Sequence, residues 1–359
     1  MSSKAFLSNK ERDIITSEDI EVFKKYKESH EKMKIIGTHS GTFHADEVLS
    51  TFLLKFHPEA RNSVVIRTRN NEILKQCDIV VDVGGIIDPK NNRFDHHMKE
   101  FKEVLDEKDE ELNKIKLSSA GLVWKYLGIE ILNNVLKSAN LLEQNKNHIN
   151  EIFKKIYLDF IMGVDGIDNG VTQYDKDIKP KYKLVGDFNH RISRLNPEWN
   201  MENVDVNERF RDAWDIAEEE FSYYIKNYAN SYFIAYDIVL NAVKEALKEN
   251  RVYFILDKYC PWKKMIYEIE KKLQVENRFL YCIHPGNNNR WCSTAVNINE
   301  NCMELRKPFP EEWRAKSDEE LQKITGIKDA VFVHVSGFVS FWHFKKSAIK
   351  ATEISINHK

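Results

Sequence analysis

Cysteine is sparse and scattered in this chain. Five occur in 359 residues, at 77, 260, 282, 292 and 302, and no two form a Cys-x-x-Cys pair. An odd, dispersed count points to reduced thiols in an intracellular setting, most of them small buried hydrophobes. No apolar stretch approaches the length that crosses a bilayer, so no membrane partner is expected. Neither sign of charge dominates: 54 Lys and Arg face 56 Asp and Glu, a net charge of −2. That balance argues against wholesale coating of a polyanion, while leaving room for a local basic groove. There is no fixed-period repeat. The first thirty residues lack a secretory apolar core, and their acids speak against a transit peptide. Residues 1–32 are expected to be a flexible or loosely docked extension.

What is present is the raw material of two ordinary cores. Hydrophobic residues make up 42% and charged residues 31%, and the length favours two domains. "MKIIGT" (33–38), "SVVIRT" (63–68) and "DIVVDVGG" (78–85) read as buried strands, β-branched and bounded by polar turns. Asp46 opens a helix whose Val48, Leu49, Phe52, Leu53 and Phe56 share one face. Strands alternating with helices predict a parallel sheet covered on both faces, with ligands beyond the carboxyl ends of the strands. "FKEVLDEKDEELNKIK" is a charge-rich surface segment, helix or mobile loop. Long amphipathic helices follow at 204–249. A second strand–helix series then runs through "RVYFILD", "PWKKMIYEIEKKL", "RFLYCIHP", "WCSTAVNI" and "AVFVHVSGF". The expected division is an extension at 1–32, a first domain at 33–200, a helical connector at 201–250 and a second α/β domain at 251–359.

Four polar groups punctuate the first domain at strand or helix ends: "THSGTFHADE" (38–47), "VVDVGG" (80–85), "FDHH" (94–97) and "GVDGIDNG" (163–170). Each supplies carboxylate, imidazole or both. Alone, each has a plain structural reading as a turn, a helix stop or a satisfied histidine. Together they place acids and imidazoles at the same end of one sheet. Asp82 follows three apolar residues on a strand expected to be central, where an acid is expensive to bury unless paired or metal-bound. The mixed donor set suits Mn²⁺, Fe²⁺ or Zn²⁺, whereas Mg²⁺ prefers oxygen more strongly; Mn²⁺ is favoured. A carboxylate set between two cations can bridge them, and such a pair can activate water against a phosphate.

In order, "IGTHSGTFHADE", "RTRN…CDIVVDVGGIIDP", "RFDHH", "DGIDNG", "RLNPEW" and "VFVHVSGF" resemble the melanocyte-proliferating-gene-one family of nucleases. That family falls within the DHH phosphoesterase superfamily, and the likeness spans roughly residues 33 to 350. It implies a DHH-type α/β domain with a parallel sheet flanked by helices, a smaller C-terminal α/β domain with a mixed sheet, and a cleft between them. It also implies divalent metal dependence, 3′–5′ exonuclease action on RNA, and a nuclear or mitochondrial location. Carried over by position, His39, His44 and Asp46 form the first metal motif, and Asp82 is the bridging carboxylate. His96 or His97 ligates from the third motif, with Asp95 holding an imidazole. For the fourth, Asp168 is first choice and Asp165 close behind. The catalytic set is thus Asp82, Asp95, His96 and His97. The metal set is His39, His44, Asp46, Asp82, His97, Asp168 and Asp165. One departure stands out: the superfamily spaces its first motif as His-x-x-x-Asp-x-Asp, whereas here His44 replaces a carboxylate one residue later.

A phosphodiesterase also needs protein cations for substrate phosphates. Arg67 and Arg69 at a strand end, Arg191 and Arg194 in "HRISRLNPEW", and Arg290, Arg306 and Arg314 in the second domain are the candidates, each weighed against a surface salt bridge. His334, Ser336, Gly337 and His343 belong to "VFVHVSGFVSFWHF", the segment that resembles the family's terminal motif. In that segment Phe341 and Trp342 either stack a base or fill a core. The expected partner is single-stranded RNA or a nucleotide; an oligomer is compatible with the sequence. The leading expectation is a metal-dependent phosphodiesterase using metal-activated water. The alternatives are a small-molecule phosphoanhydride or phosphomonoester hydrolase, and a non-catalytic interaction protein that retains the fold.

Overall fold

The computed structural model describes residues 9–175, 177–182, 185–300 and 302–358. It contains two compact units, Met1–Asn230 and Ser231–Lys359. Both are α/β, as expected. Among the described residues no helix is long and apolar enough to cross a membrane.

The first unit is built on six strands: β1 Ile14–Thr16, β2 Ile35–Thr38, β3 Val64–Arg67, β4 Ile79–Val81, β5 Ile87–Asp88 and β6 Arg93–Phe94. Their order in the sheet is β1-β3-β2-β4-β6-β5. Every neighbouring pair is parallel except β5 with β6. Strands β2, β3 and β4 are buried along their whole length. Parallel strands covered on both faces need such uniformly apolar runs, which is what "IIGT", "VVIR" and "IVV" supply. All ten residues of the helix Ala45–Leu54 are buried. It packs against the helix Ser119–Ser138 and the helix Val206–Asn227. Trp214 of the last donates its indole N–H to the Thr51 hydroxyl at 3.0 Å. Each large apolar side chain removed from water in this layer stabilises the unit by about 1.5–3 kcal/mol.

Two boundaries differ from the sequence reading. From Asn9 onward the N-terminal segment is part of the unit: β1 pairs with β3, and Phe23 is fully buried beside Ile35, Val64 and Ile66. Residues 1–8 of the expected extension lie outside the described residues. The expected connector divides between the units. Val206–Asn227 carries Phe210, Trp214 and Phe221 into the first core, while Phe233–Lys248 packs on strand and helix of the second. The charged segment after Phe101 is irregular, tied down by buried Leu105 and Leu112 and by Lys154 on Asp109 at 2.7 Å.

The second unit has five strands: β7 Tyr253–Ile255, β8 Tyr281–Pro285, β9 Trp291–Ala295, β10 Ala330–Val333 and β11 Val339–Trp342. Their order is β10-β11-β9-β8-β7. Only β7 with β8 is parallel. The hairpin between β8 and β9 turns through Asn288 and Asn289, both left-handed with φ of 58° and 55°, the backbone that a tight primed turn demands. One sheet face packs Tyr281, Ile283, Ala295, Val333 and Trp342 into a core with Phe309 and Trp313.

Candidate metal centre

Four chain segments converge beyond the carboxyl ends of β2, β4 and β6. His39 follows β2, Asp82 follows β4, and Asp95, His96 and His97 follow β6, while His44, Asp46 and Glu47 begin the helix Ala45–Leu54. Asp168 ends the helix Met162–Asp168. The backbone at Asp82 is left-handed, φ 57°, a conformation that costs a non-glycine residue about 1–3 kcal/mol. The strain persists because the Asp82 amide is held by the Phe94 carbonyl at 3.2 Å and the side chain is locked between imidazoles.

The Asp82 carboxylate faces two ways. Its Oδ2 lies 3.4 Å from His39 Nε2, and that same nitrogen is 2.9 Å from Glu47 Oε1. Its Oδ1 lies 3.3 Å from His96 Nε2. His96 Nε2 is in turn 3.1 Å from Asp168 Oδ2 and 3.7 Å from Asp46 Oδ2. Three groups of donors thus have their ligand atoms within 4.8 Å of one another: His39–His44–Glu47, Asp82–His96–His97 and Asp46–His96–Asp168. A cavity of about 750 Å³ opens on them.

The electrostatics are those of a cage crowded with acid. Burial works against charge on Asp82, yet His39 and His96 outweigh it and hold the carboxyl below the usual carboxylate range. Burial also opposes charge on His39, but Asp82 and Glu47 raise it to about 10. His96 is likewise raised, to about 11, by Asp168, Asp82 and Asp46 against its burial. Burial and the neighbouring Asp82 and Asp168 push the Asp46 carboxyl well up. Several buried atoms of this cage lack a hydrogen bond: Glu47 Oε2, Asp82 Oδ1 and both His96 ring nitrogens. Unpaired buried carboxylate and imidazole donors around one point fit a divalent cation.

The adjacent histidines have different surroundings. His96 is 4% exposed and belongs to two of the three donor groups. His97 has its Nδ1 on Asp95 Oδ1 at 2.7 Å, and its side chain is 63% exposed. Asp95 also accepts the Gly85 amide at 2.5 Å, so its two oxygens are divided between that amide and the His97 ring. With Nδ1 engaged, His97 presents Nε2. Both rings belong to the Asp82–His96–His97 donor group, and the more buried His96 also belongs to Asp46–His96–Asp168.

The two fourth-motif aspartates separate just as clearly. Asp168 joins the cage. Asp165 is fully buried and joins none of the three donor groups; its Oδ1 accepts the Ser118 and Gly121 amides at 2.9 and 3.1 Å. It caps the helix Ser119–Ser138, where burial raises its carboxyl to about 7. Asp46 does similar service, accepting the Ser118 hydroxyl and the Ala120 amide, each at 2.6 Å. Carboxylates at a helix N-terminus meet unpaired N–H groups and a favourable dipole.

Among the cations, Arg69 lines the cavity with its guanidinium 3.3 Å from His39 Nδ1. Arg67 does not reach the cavity. It is buried, donates to the Gly41 carbonyl at 2.6 Å and lies over the Phe43 and Phe210 rings. Arg191 is engaged by Glu219 and Glu220 at 2.6 and 2.5 Å. Arg194 is exposed at the end of the helix Phe188–Ser193 and is not part of the cavity wall; Asn189, His190 and Ser193 are. In the second unit, Arg314 donates to the Phe309 carbonyl at 2.9 Å. A Cβ at Gly337 (φ 70°) would come 2.8 Å from that guanidinium, so both residues are committed to a turn. His334 Nδ1 meets the Ser336 hydroxyl at 2.9 Å. His343 is exposed, as its neighbour Phe344 is, and Arg290 borders a separate cavity.

Sequence reasoning missed Glu47 as a donor and His190 as a wall residue. Glu47 was legible in principle: three residues after His44, it accepts the His44 amide at 2.8 Å in a capping box. His190 carried no signal, because a lone histidine beside arginines has a plain reading as a surface residue.

A family model named for the MYG1 exonuclease, described as "Uncharacterised protein family (UPF0160)", matches residues 35–356. The chain is 36% identical over 308 residues to the MYG1 protein of Dictyostelium discoideum, covering 85% of this chain and 91% of that one. It is 35% identical over 325 residues to the MYG1 exonuclease of Rattus norvegicus, covering 89% and 84%. Among solved structures, an exopolyphosphatase-related protein from Bacteroides fragilis aligns over 93% of this chain and 95% of that one, at 8% identity with a TM-score of 0.22. That last likeness is too remote to carry an argument.

Proposed function

The chain belongs to the MYG1 exonuclease family, and from that premise we propose that it is a divalent-metal-dependent phosphodiesterase that removes nucleotides from the 3′ end of RNA. The observation that carries the reading is the Asp82 carboxylate, buried with one oxygen toward His39 and the other toward His96. The residues that would hold metal are His39, His44, Asp46, Glu47, Asp82, His96 and Asp168. Their mixture of imidazole and carboxylate favours Mn²⁺. When bound, the metal supplies a water of lowered pKa and neutralises phosphate charge.

The chain's own side chains do the remaining work. Asp95 fixes the His97 ring so that Nε2 is free to donate to a phosphate oxygen of the transferred group. Arg69 adds a fixed positive charge on the same cavity wall. His190, Asn189 and Ser193 offer polar contacts to the terminal nucleotide from the opposite helix. No protein nucleophile is required in this scheme. The exonuclease names of the relatives favour nucleic acid over a small phosphoanhydride. The compartments proposed with this activity are the nucleus and the mitochondrion, by family resemblance.

The test is cleavage of 5′-labelled RNA, matched DNA and pyrophosphate with Mn²⁺ or Mg²⁺. Stepwise shortening of RNA from its 3′ end is expected. Asp82→Asn, folded as the parent by circular dichroism, should lose roughly a thousandfold in rate. Pyrophosphate hydrolysis without RNA shortening would replace this reading by the small-molecule one.

A further inference from the structure

A second cavity, of about 550 Å³, lies within Ser231–Lys359 on the face of the sheet opposite the Trp342 core. Strand register builds it. Phe332 on β10 pairs with Phe341 on β11, Phe341 with Cys292 on β9, and Cys292 with His284 on β8. Paired positions share one face, so these four side chains form a row across the sheet. The row is aromatic at both ends. Phe332 and Phe341 are near parallel, ring centres 6.3 Å apart, and Tyr259 stands 5.1 Å from His284. Phe341 is half-buried and Tyr259 is 60% exposed. Trp342, its chain neighbour, is fully buried with its indole on Ser340. The Phe-Trp pair of the sequence thus divides: tryptophan fills the core and phenylalanine faces out.

The polar groups around the row fit a polyanion. Arg290 lines the cavity and makes no side-chain ion pair among the described residues. Lys263 sits 5.7 Å over the ring of Phe338, another wall residue. No Asp or Glu lines the cavity. His284 is satisfied by Thr294 and the Pro285 carbonyl, and burial lowers its pKa, so it adds a neutral ring. Tyr259 stands in the connection after β7 and Phe341 on β11, on either side of the Cys292–His284 part of the row. Accessible rings edged by cations are a sequence-tolerant way to hold single strands: rings stack bases and cations meet phosphates.

We propose that this face is a base-stacking platform for single-stranded nucleic acid, with Tyr259 and Phe341 as the stacking rings and Arg290 as a phosphate contact. The proposal rests on the phosphodiesterase reading for its choice of ligand, but not on the metal cage for its binding.

The test uses the full chain carrying Asp82→Asn, with EDTA present, and fluorescence anisotropy of a short labelled oligoadenylate. An abasic strand of equal length is the comparison. The base-bearing strand should bind about tenfold tighter than the abasic one. Tyr259→Ala and Phe341→Ala should each remove about that advantage, leaving the abasic strand unaffected, while Arg290→Gln weakens both strands. Tyr223→Ala, an equally exposed tyrosine in the first unit at 60%, should change nothing. Tyr259→Ala alters an exposed side chain, so the test stands even if Phe341→Ala fails to fold. Equal affinity for the two strands, or unchanged affinity in both ring variants, overturns the platform. Absence of oligonucleotide binding also overturns it and leaves the face to a protein partner. Cleavage by Asp82→Asn at the parental rate would count against the catalytic reading instead, and the two failures are read in separate assays.

Discussion

Asp95 and Lys55 show what single side chains contribute. Asp95 touches His97 and the Gly85 amide and belongs to none of the donor groups, so its loss should free the imidazole without opening the cage. Asp95→Ala is expected to lower RNA cleavage about 10–100-fold while Mn²⁺ affinity, followed by calorimetry, stays near the parent's. Lys55 is fully buried, donates to the Ser63 carbonyl at 2.6 Å and lies 5.4 Å over Trp214. Burial lowers its pKa to about 7, against the pull of Glu11 and Asp13. The unfolded chain, with a lysine near 10.4, then binds one more proton than the folded chain between about pH 7 and 10.4. Stability should therefore rise with pH in that window, by at most ~1.4 kcal/mol per unit. Urea melts of the parent and Lys55→Met across that range check it. A parent-minus-variant difference that stays flat would show Lys55 to be charged. Asp82, with its apolar approach and its acid at a strand end, announced itself in the sequence. The difference between His96 and His97 did not, because it depends on which ring turns inward from β6, a matter of tertiary geometry.

At the level of elements, the helix Ser119–Ser138 links fold to site. Its N-terminal amides are held by Asp46, a cage residue, and by Asp165, a pure cap. The helix can sit this close only because residue 121 is glycine: a Cβ there would lie 2.4 Å from an Asp165 oxygen. Gly121→Ala should cost about 1–3 kcal/mol, lowering the thermal midpoint and, by shifting Asp46, weakening Mn²⁺ binding. Unchanged melting would mean that the carboxylate moves aside freely. Strands β2, β3 and β4 were legible because uniformly apolar β-branched runs have few other uses. Strand β1 was not: "IIT" is three residues inside a polar stretch, and its pairing with β3 is a long-range choice. Asp165 and Asp168, three apart on one helix, were ranked in the sequence only by resemblance, which put Asp168 first; the path of a second helix is what makes Asp165 a cap and leaves Asp168 among the candidate donors.

For the whole molecule, the division after Asn230 gives each unit its own sheet and core. The sequence announced both strand series, but it offered 201–250 as a single connector. Amphipathic periodicity marks an apolar face without saying which core receives it, and here the two helices bury theirs in different units. Because the cage lies within the first unit, metal should stabilise that unit in particular. Mn²⁺ at a hundred times its dissociation constant adds about 2.7 kcal/mol. Hydrogen exchange should accordingly slow in β2, β4 and the helix Ala45–Leu54, and remain unchanged in β8 and β9; uniform slowing, or none, would contradict that placement. The most direct measurement is an anomalous difference map from crystals grown with Mn²⁺. The expected result is density against the Asp82 carboxylate, between His39 on one side and His96 with Asp168 on the other. A map with no peak at Asp82, in a protein that still shortens RNA, would contradict the metal cage outright.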